Sequence, residues 1–353
     1  MRSSYHMNYQ TINYQSMNSL YIPYLNNYDQ PVILGQGAFG KVTLIQDMYG
    51  DMYALKTCTY VKYLSYSNKE AEDMKKLVGC PQLVQLMDTI PNEDGVDLVL
   101  ELCTGSLLDL LYKSGLGLKQ DVVLDMIRDV STGLEFMRSK GMSHCDLKLE
   151  NILYKRDDTS VSGYRFLICD FGNVDYGDNM PSFHRIQTNH YRSGENLLHS
   201  SDISSCDMAS LACIIYEVIT DKYLVDIDDD DELGQLEVQL RAIGFDVLLE
   251  NDFDMCHPVN QMATQLYFDE RIEQKGDIDY PDSDLKKSMM ALGYTKGDEI
   301  TKLIQWMLLP IPEKRLKAEQ VKEHPLFCEN VYENAQDVDY TYEHDIFFES
   351  ILV

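Results

Sequence analysis

With 353 residues and 44% hydrophobic content, the chain is long enough for two domains or lobes with a sizeable core. No apolar run approaches the ~18 residues that a membrane span needs. Its 58 acidic residues against 30 basic ones give a formal net charge of -28, which disfavours nucleic acid and anionic membrane as direct ligands and favours a basic partner.

The opening Met1-Arg-Ser-Ser-Tyr-His lacks the apolar core of a secretory signal, so an intracellular protein of cytoplasm and/or nucleus is expected. Nine scattered cysteines, none at CxxC spacing, indicate neither a disulfide framework nor a zinc site. Residues 1–28 are rich in Asn, Tyr and Ser without a helical or strand period, and a disordered tail is expected there. Residues 29–103 hold strand-like runs at Val32–Leu34, Val42–Ile45, Met52–Leu55 and Asp97–Leu102, with one helix over Leu64–Val78. Residues 104–328 read as helical. Val122–Arg138 is amphipathic, whereas Asp207–Thr220 is apolar on nearly every side and belongs in the middle of a lobe. The acidic run Asp226–Glu232 is too charged to be buried, and 329–353 is an acidic, aromatic tail with no Lys or Arg.

Gly35, Gly37 and Gly40 form a GxGxxG, a pattern shared with dinucleotide-binding folds. A dinucleotide site needs a helix next, but Lys41-Val-Thr-Leu-Ile45 is β-branched and reads as a strand. The glycines therefore suit a hairpin lid whose backbone approaches phosphates closely. Lys56, one strand on, can reach the α and β phosphates if a carboxylate on the following helix holds it. Glu70 shares a helical stripe with Met74 and Leu77 and is the first choice for that carboxylate. Glu72, nearly on the opposite face, is the fallback, and a capping box Ser67-x-x-Glu70 is the rival use of Glu70.

His144-Cys-Asp-Leu-Lys-Leu-Glu-Asn151 is the most specific stretch. Asp146 can accept the proton of a substrate hydroxyl or orient that hydroxyl. Lys148 can neutralise charge on a moving phosphoryl group, and Asn151 can ligate magnesium. Asp170 of Asp170-Phe-Gly172 supplies the main magnesium ligand, since hard oxygen donors in small number suit that ion.

In this order the three stretches resemble the protein kinases. The resemblance implies an α+β, bilobal kinase fold: a small β-rich lobe with one key helix and a larger, mainly helical lobe. It implies ATP and Mg2+ as cofactors, with Val42 and Ala54 lining the nucleotide pocket, Leu100 at its gate, and the backbone of Glu101 and Cys103 on the adenine. Lys at two residues beyond Asp146 is similar to serine/threonine kinases. Glu195 of Ser193-Gly194-Glu195 is expected to pair with Arg315, and Asp207 to brace the catalytic loop.

Cys145 stands where most kinases have an arginine that pairs with a phosphorylated activation loop. Activity without loop phosphorylation is the implication. Cys145 as a buried structural thiol is preferred to a reactive one. Asp170-Phe-Gly-Asn173, Ile186-Gln-Thr-Asn-His-Tyr-Arg-Ser193 and Asp207-Met-Ala-Ser-Leu-Ala-Cys213 resemble the serine/arginine-rich-protein kinases of the CMGC group. That likeness implies basic, Arg/Ser-rich protein substrates, a role for Thr188 beside Asp146, and for Arg192 beside the accepting serine. Asp226–Glu232, Glu237, Asp252 and Asp254 are candidate contacts for such substrates, and a monomer is expected. Two rivals remain: another CMGC-type kinase with a different peptide preference, and a pseudokinase or acidic docking scaffold.

Overall fold

A computed structural model describes residues 20–37, 40–58, 64–92, 95–176, 186–197, 205–229, 231–243 and 281–327. The chain divides into two compact units. One comprises Met1–Thr104 with Cys169–Val174, the other Gly105–Ile168 with Asp175–Val353.

The first unit is built on an antiparallel sheet of six strands: β1 (Tyr21–Pro23), β2 (Ile33–Gln36), β3 (Gly40–Asp47), β4 (Met52–Cys58), β5 (Leu86–Pro91) and β6 (Val96–Glu101). The order is β1-β3-β4-β6-β5, with β2 also on β3. Alternation along β3 turns Thr43 and Ile45 inward. Ile45 packs with Leu55, Ile90 and Val99 in a buried cluster, against which Tyr21 and Tyr53 lie. Helix α1 (Leu64–Lys76) turns Glu70 and Met74 inward, and Leu77, just past its end, continues the buried stripe.

Two expectations change in this unit. The tail expected over residues 1–28 gives way to β1, in which Tyr21 pairs with Asp47 of β3. Tyr21 stacks edge-on against Tyr53 at 5.8 Å and reaches Asp88 at 3.3 Å, so aromatic contact rather than a long apolar run holds the strand. Residues 1–19, like the 329–353 tail, lie outside the described residues. The boundary expected at 103 falls after Thr104, and Cys169–Val174 belongs with the first unit although the chain reaches it much later.

The second unit is mainly helical: α2 (Leu107–Ser114), α3 (Gln120–Ser139), α4 (Gly194–Leu197), α5 (Cys206–Thr220), α6 (Glu232–Ile243), α7 (Pro281–Ala291), α8 (Gly297–Leu308) and α9 (Ala318–Val321). It also holds a three-stranded sheet, β7 (Gly105–Ser106), β8 (Ile152–Arg156) and β9 (Tyr164–Ile168). Helix α5 is buried along its whole length, as its all-round apolar pattern predicts. Asp221 ends it in a left-handed conformation, its N–H on Glu217 O at 2.8 Å. No described helix is long and apolar enough to cross a membrane.

Arg315 and Glu195 form a bidentate pair at 2.5 and 2.6 Å, both fully or nearly fully buried. Arg315 also donates to Leu309 O at 2.7 Å and Ser205 O at 3.0 Å. A guanidinium so placed ties the start of α4, the start of α5 and the turn before α9 together. Arg315→Met leaves the Glu195 carboxylate buried without its cation, and we expect a loss of about 3–5 kcal/mol in denaturant unfolding. A double Arg315→Met, Glu195→Leu variant should recover part of that loss; equal losses would mean the orphaned charge is not the cause.

Candidate active site

Functional side chains fall into two sets, one in each unit. In the first unit, β2 and β3 make a hairpin in the register Gly35 to Val42 and Gln36 to Lys41, closed by Gly37 N–H on Gly40 O at 2.9 Å. A strand, not a helix, follows the glycines. A Cβ at Gly35 or Gly37 would meet nothing within 4 Å, so internal packing does not require glycine here. What the missing Cβ atoms leave clear is the approach of an external group, as phosphates would need.

Val42 faces Lys56 across β3 and β4, and Ala54 lies between Leu44 and Leu100 on neighbouring strands. The Glu101 N–H donates to Gln85 O at 3.1 Å, so any Glu101 backbone bond to an adenine falls to its carbonyl. Cys103 is half-buried just before this unit ends.

Lys56 Nζ lies 2.6 and 2.8 Å from the two carboxylate oxygens of Glu70 and 2.7 Å from Asp170 Oδ1. Burial alone would lower its pKa; Glu70 and then Asp170 reverse this and hold the ammonium above its ordinary range. Among the described residues two carboxylates face this one ammonium, and burial raises the Glu70 carboxyl against the lowering effect of Lys56. Glu70 is buried, while the Asp170 side chain is 29% exposed, so Asp170 is the carboxylate a cation can approach. Glu72, the fallback, instead pairs with Lys75 on the surface at 2.6 Å. Ser67 sits inside α1 rather than at its start, which removes the capping box.

In the second unit, Asp207 at the start of α5 accepts from the backbone N–H groups of His144 (2.7 Å) and Cys145 (2.9 Å). Cys145 adopts a positive φ of 64° and is 1% exposed. A Cys206 hydrogen bond lowers its pKa, but burial and the Asp207 carboxylate outweigh it and raise the thiol, which marks a structural rather than a reactive cysteine.

Asp146 follows. Its Oδ1 accepts from Thr188 Oγ1 at 2.7 Å and its Oδ2 lies 3.1 Å from Lys148 Nζ. Lys148 Nζ is also 3.4 Å from Thr188 Oγ1. Asn151 Nδ2 donates to Asp146 O at 2.8 Å, which leaves Oδ1 as the amide's ligating atom. Taken unit by unit, the Asp170 carboxylate and the Asn151 amide oxygen are each the hard oxygen donor that magnesium takes, an ion that needs few protein ligands and keeps much of its water.

Gln187 was legible only as part of a motif, and its position shows what it does. Buried and at a positive φ of 67°, it donates its backbone N–H to Cys145 O at 3.0 Å. Its amide reaches Tyr191 O, Cys206 O and Ser210 Oγ, and accepts from Ser193 N. It thereby sets Thr188 beside Asp146. Arg192 is buried and pairs with Asp229 at 2.6 Å. Of the acidic candidates, Asp226, Asp228, Asp229 and Asp231 are exposed, Glu237 pairs with Arg241, and Asp252 and Asp254 lie outside the described residues.

The family model described as "Protein kinase domain" matches residues 28–327. Dual specificity protein kinase CLK1 of Homo sapiens is 26% identical over 324 residues, covering 83% of this chain and 64% of its own. Probable dual specificity protein kinase YAK1 homolog of Encephalitozoon cuniculi is 29% identical over 210 residues, covering 58% and 51%. Serine/threonine-protein kinase AFC2 of Arabidopsis thaliana is 24% identical over 338 residues, covering 84% and 75%. The chain thus spans a little under two thirds of the length of CLK1, and these likenesses agree with the resemblance read from the residues.

The platform after Thr188 carries a titratable bond. Tyr191 OH donates to Glu217 Oε2 at 2.7 Å. Burial pushes the Glu217 carboxyl up to about 7 against the lowering effect of that bond, and Glu150 and Asp221 add to the rise. A carboxyl raised on folding binds more protons native than unfolded, so its contribution to stability falls as pH rises from the ordinary 4.5 to about 7. Glu217→Gln removes the charge and keeps an acceptor for Tyr191. We expect it to flatten the decline between pH 5 and 8, by on the order of 3 kcal/mol in urea unfolding; parallel curves for the two proteins would refute the assignment.

Proposed function

Because this chain belongs to the protein kinase domain family, we propose that it transfers the γ-phosphoryl group of ATP to a protein hydroxyl, with Arg/Ser-rich segments as the preferred substrates. The observation that carries the reading is the complete charged set. Lys56 is held by Glu70 and Asp170, and Asp146 is held by Thr188 and Lys148, with Asn151 bonded to its carbonyl.

Each residue then has a task. The glycine hairpin admits the phosphates, and Lys56 holds the α and β groups at its fixed ammonium. Asp170 and, through Oδ1, Asn151 are the residues that would hold magnesium, and the bound ion would supply neutralisation of phosphate charge. Asp146, aimed by Thr188, orients the acceptor hydroxyl and takes its proton, and Lys148 stabilises charge on the group in transfer. Catalysis on this reading is positioning and charge compensation.

Two observations support activity without loop phosphorylation. Cys145 offers no cation for a phosphate, and Gln187 already ties the segment before Arg192 to the catalytic loop and α5. The substrate preference rests on the net charge of -28, on the exposed Asp226, Asp228, Asp229 and Asp231, and on the likeness to the serine/arginine-rich-protein kinases. The name "dual specificity" carried by CLK1 and the YAK1 homolog makes tyrosine the second acceptor to examine.

The test is phosphate transfer from labelled ATP by bacterially made, unphosphorylated protein. An Arg/Ser-repeat peptide, an acidic peptide, a Pro-directed peptide and a Tyr-containing peptide are compared. We expect the Arg/Ser peptide to be preferred, and Asp146→Ala to lower kcat by about 10²–10⁴ with ATP affinity nearly unchanged. Preference for another peptide would discard the substrate class. Binding of ATP with no transfer to any peptide would discard the enzyme in favour of a docking scaffold.

A further inference from the structure

We propose that Lys69, the neighbour of Glu70 on α1, is a positioning residue that fixes the turn from Asp170 to Val174 and through it the Asp170 carboxylate. The proposal rests on the kinase reading for its consequence, but not for its geometry.

Lys69 Nζ donates to Val174 O at 2.7 Å and lies 3.0 Å from Asp73 Oδ2. Asp73 is 2% exposed, and its other oxygen takes Lys76 at 3.1 Å, so it fixes the Lys69 ammonium from one side. Val174 is itself buried, and a carbonyl there has to be met from within the protein. At the other end of the same turn, Glu70 accepts from the Phe171 backbone N–H, while Val174 N–H closes back on Phe171 O at 3.3 Å.

The turn is thus gripped at both ends by adjacent residues of one helix. A carboxylate takes the N–H end and an ammonium takes the C=O end, each sign matching the partial charge it meets. Consecutive helical residues point about 100° apart, so the two grips come from different directions. A rotation of α1 that kept one would lose the other.

Asp170 needs such a hold. It sits at φ 65°, a conformation that a non-glycine residue keeps only where its surroundings over-determine it. Lys69 binds the Val174 carbonyl directly, so this grip does not wait on any modification.

Lys69 is 45% exposed along its side chain, so its replacement removes a bond without opening the core. The variants are Lys69→Met, Lys69→Arg and, as control, Lys76→Met, which removes the ammonium from the other Asp73 oxygen and leaves the Val174 bond in place. Two readouts are taken: the magnesium dependence of ATP binding, by thermal shift, and turnover on the Arg/Ser peptide. We expect Lys69→Met to raise the magnesium concentration for half-maximal shift by about tenfold, the loss expected for one charge-assisted hydrogen bond. Its kcat should fall, while its unfolding temperature without nucleotide drops by only a few degrees, the cost of one orphaned carbonyl. Lys69→Arg should restore both readouts, and Lys76→Met should match the parent. Parent-like magnesium dependence in Lys69→Met, or an equal shift in Lys76→Met, overturns the proposal. Absence of turnover in the parent overturns the enzyme reading instead, and the magnesium titration still decides on Lys69.

Discussion

A charge taken out of water has to be met at hydrogen-bond distance, and both units are organised by that requirement. Lys56 is held by Glu70 and Asp170 in the first unit. In the second, Arg315 is held by Glu195, and Asp207 by two backbone N–H groups. None of these side chains could stay buried without its partner. Apart from Glu70, on the helix that follows the Lys56 strand, each partner lies far away in the sequence, so these pairings fix a long-range contact and a functional segment together. Stability and preorganisation are in this sense the same set of bonds.

Helix α5 shows the principle most fully. With every residue buried, it can carry polar side chains only where the protein supplies partners. Asp207 takes the catalytic loop, Ser210 takes Gln187 and Tyr191 O, and Glu217 takes Tyr191 OH. A helix chosen for burial becomes the beam from which the catalytic loop and the segment carrying Thr188 are hung. Thr188 in turn donates to Asp146 Oδ1 at 2.7 Å.

Much of this was legible in the sequence because the informative residues are close together along the chain. His144 to Asn151 and Asp170 to Gly172 are short stretches whose residue types have few other uses. The choice of Glu70 over Glu72 followed from helical phase alone, and the structure sets Glu70 on Lys56 and Glu72 on the surface. What was not legible depends on contacts across long separations. Strand β1 is three residues long and is kept by Tyr21 on Tyr53 and Asp88, which no periodicity announces. β7 pairs with a strand on the far side of α2 and α3. The β8–β9 hairpin did carry a signal, two apolar runs flanking Asp157-Asp158-Thr159-Ser160, hidden among helical neighbours. Gln187 and Lys69 act through backbone groups of other segments, and polar side chains of that kind leave no pattern in a single sequence.

The account turns on Asp170: two carboxylates face one ammonium in the first unit, and Asp170 is the more exposed of them, the one that a cation can approach. Calorimetric titration of ATP with and without magnesium, on the parent and on Asp170→Asn, examines this directly. The account predicts that magnesium tightens ATP binding by about tenfold or more in the parent and has little effect in Asp170→Asn. Equal, magnesium-independent binding in both proteins would contradict it.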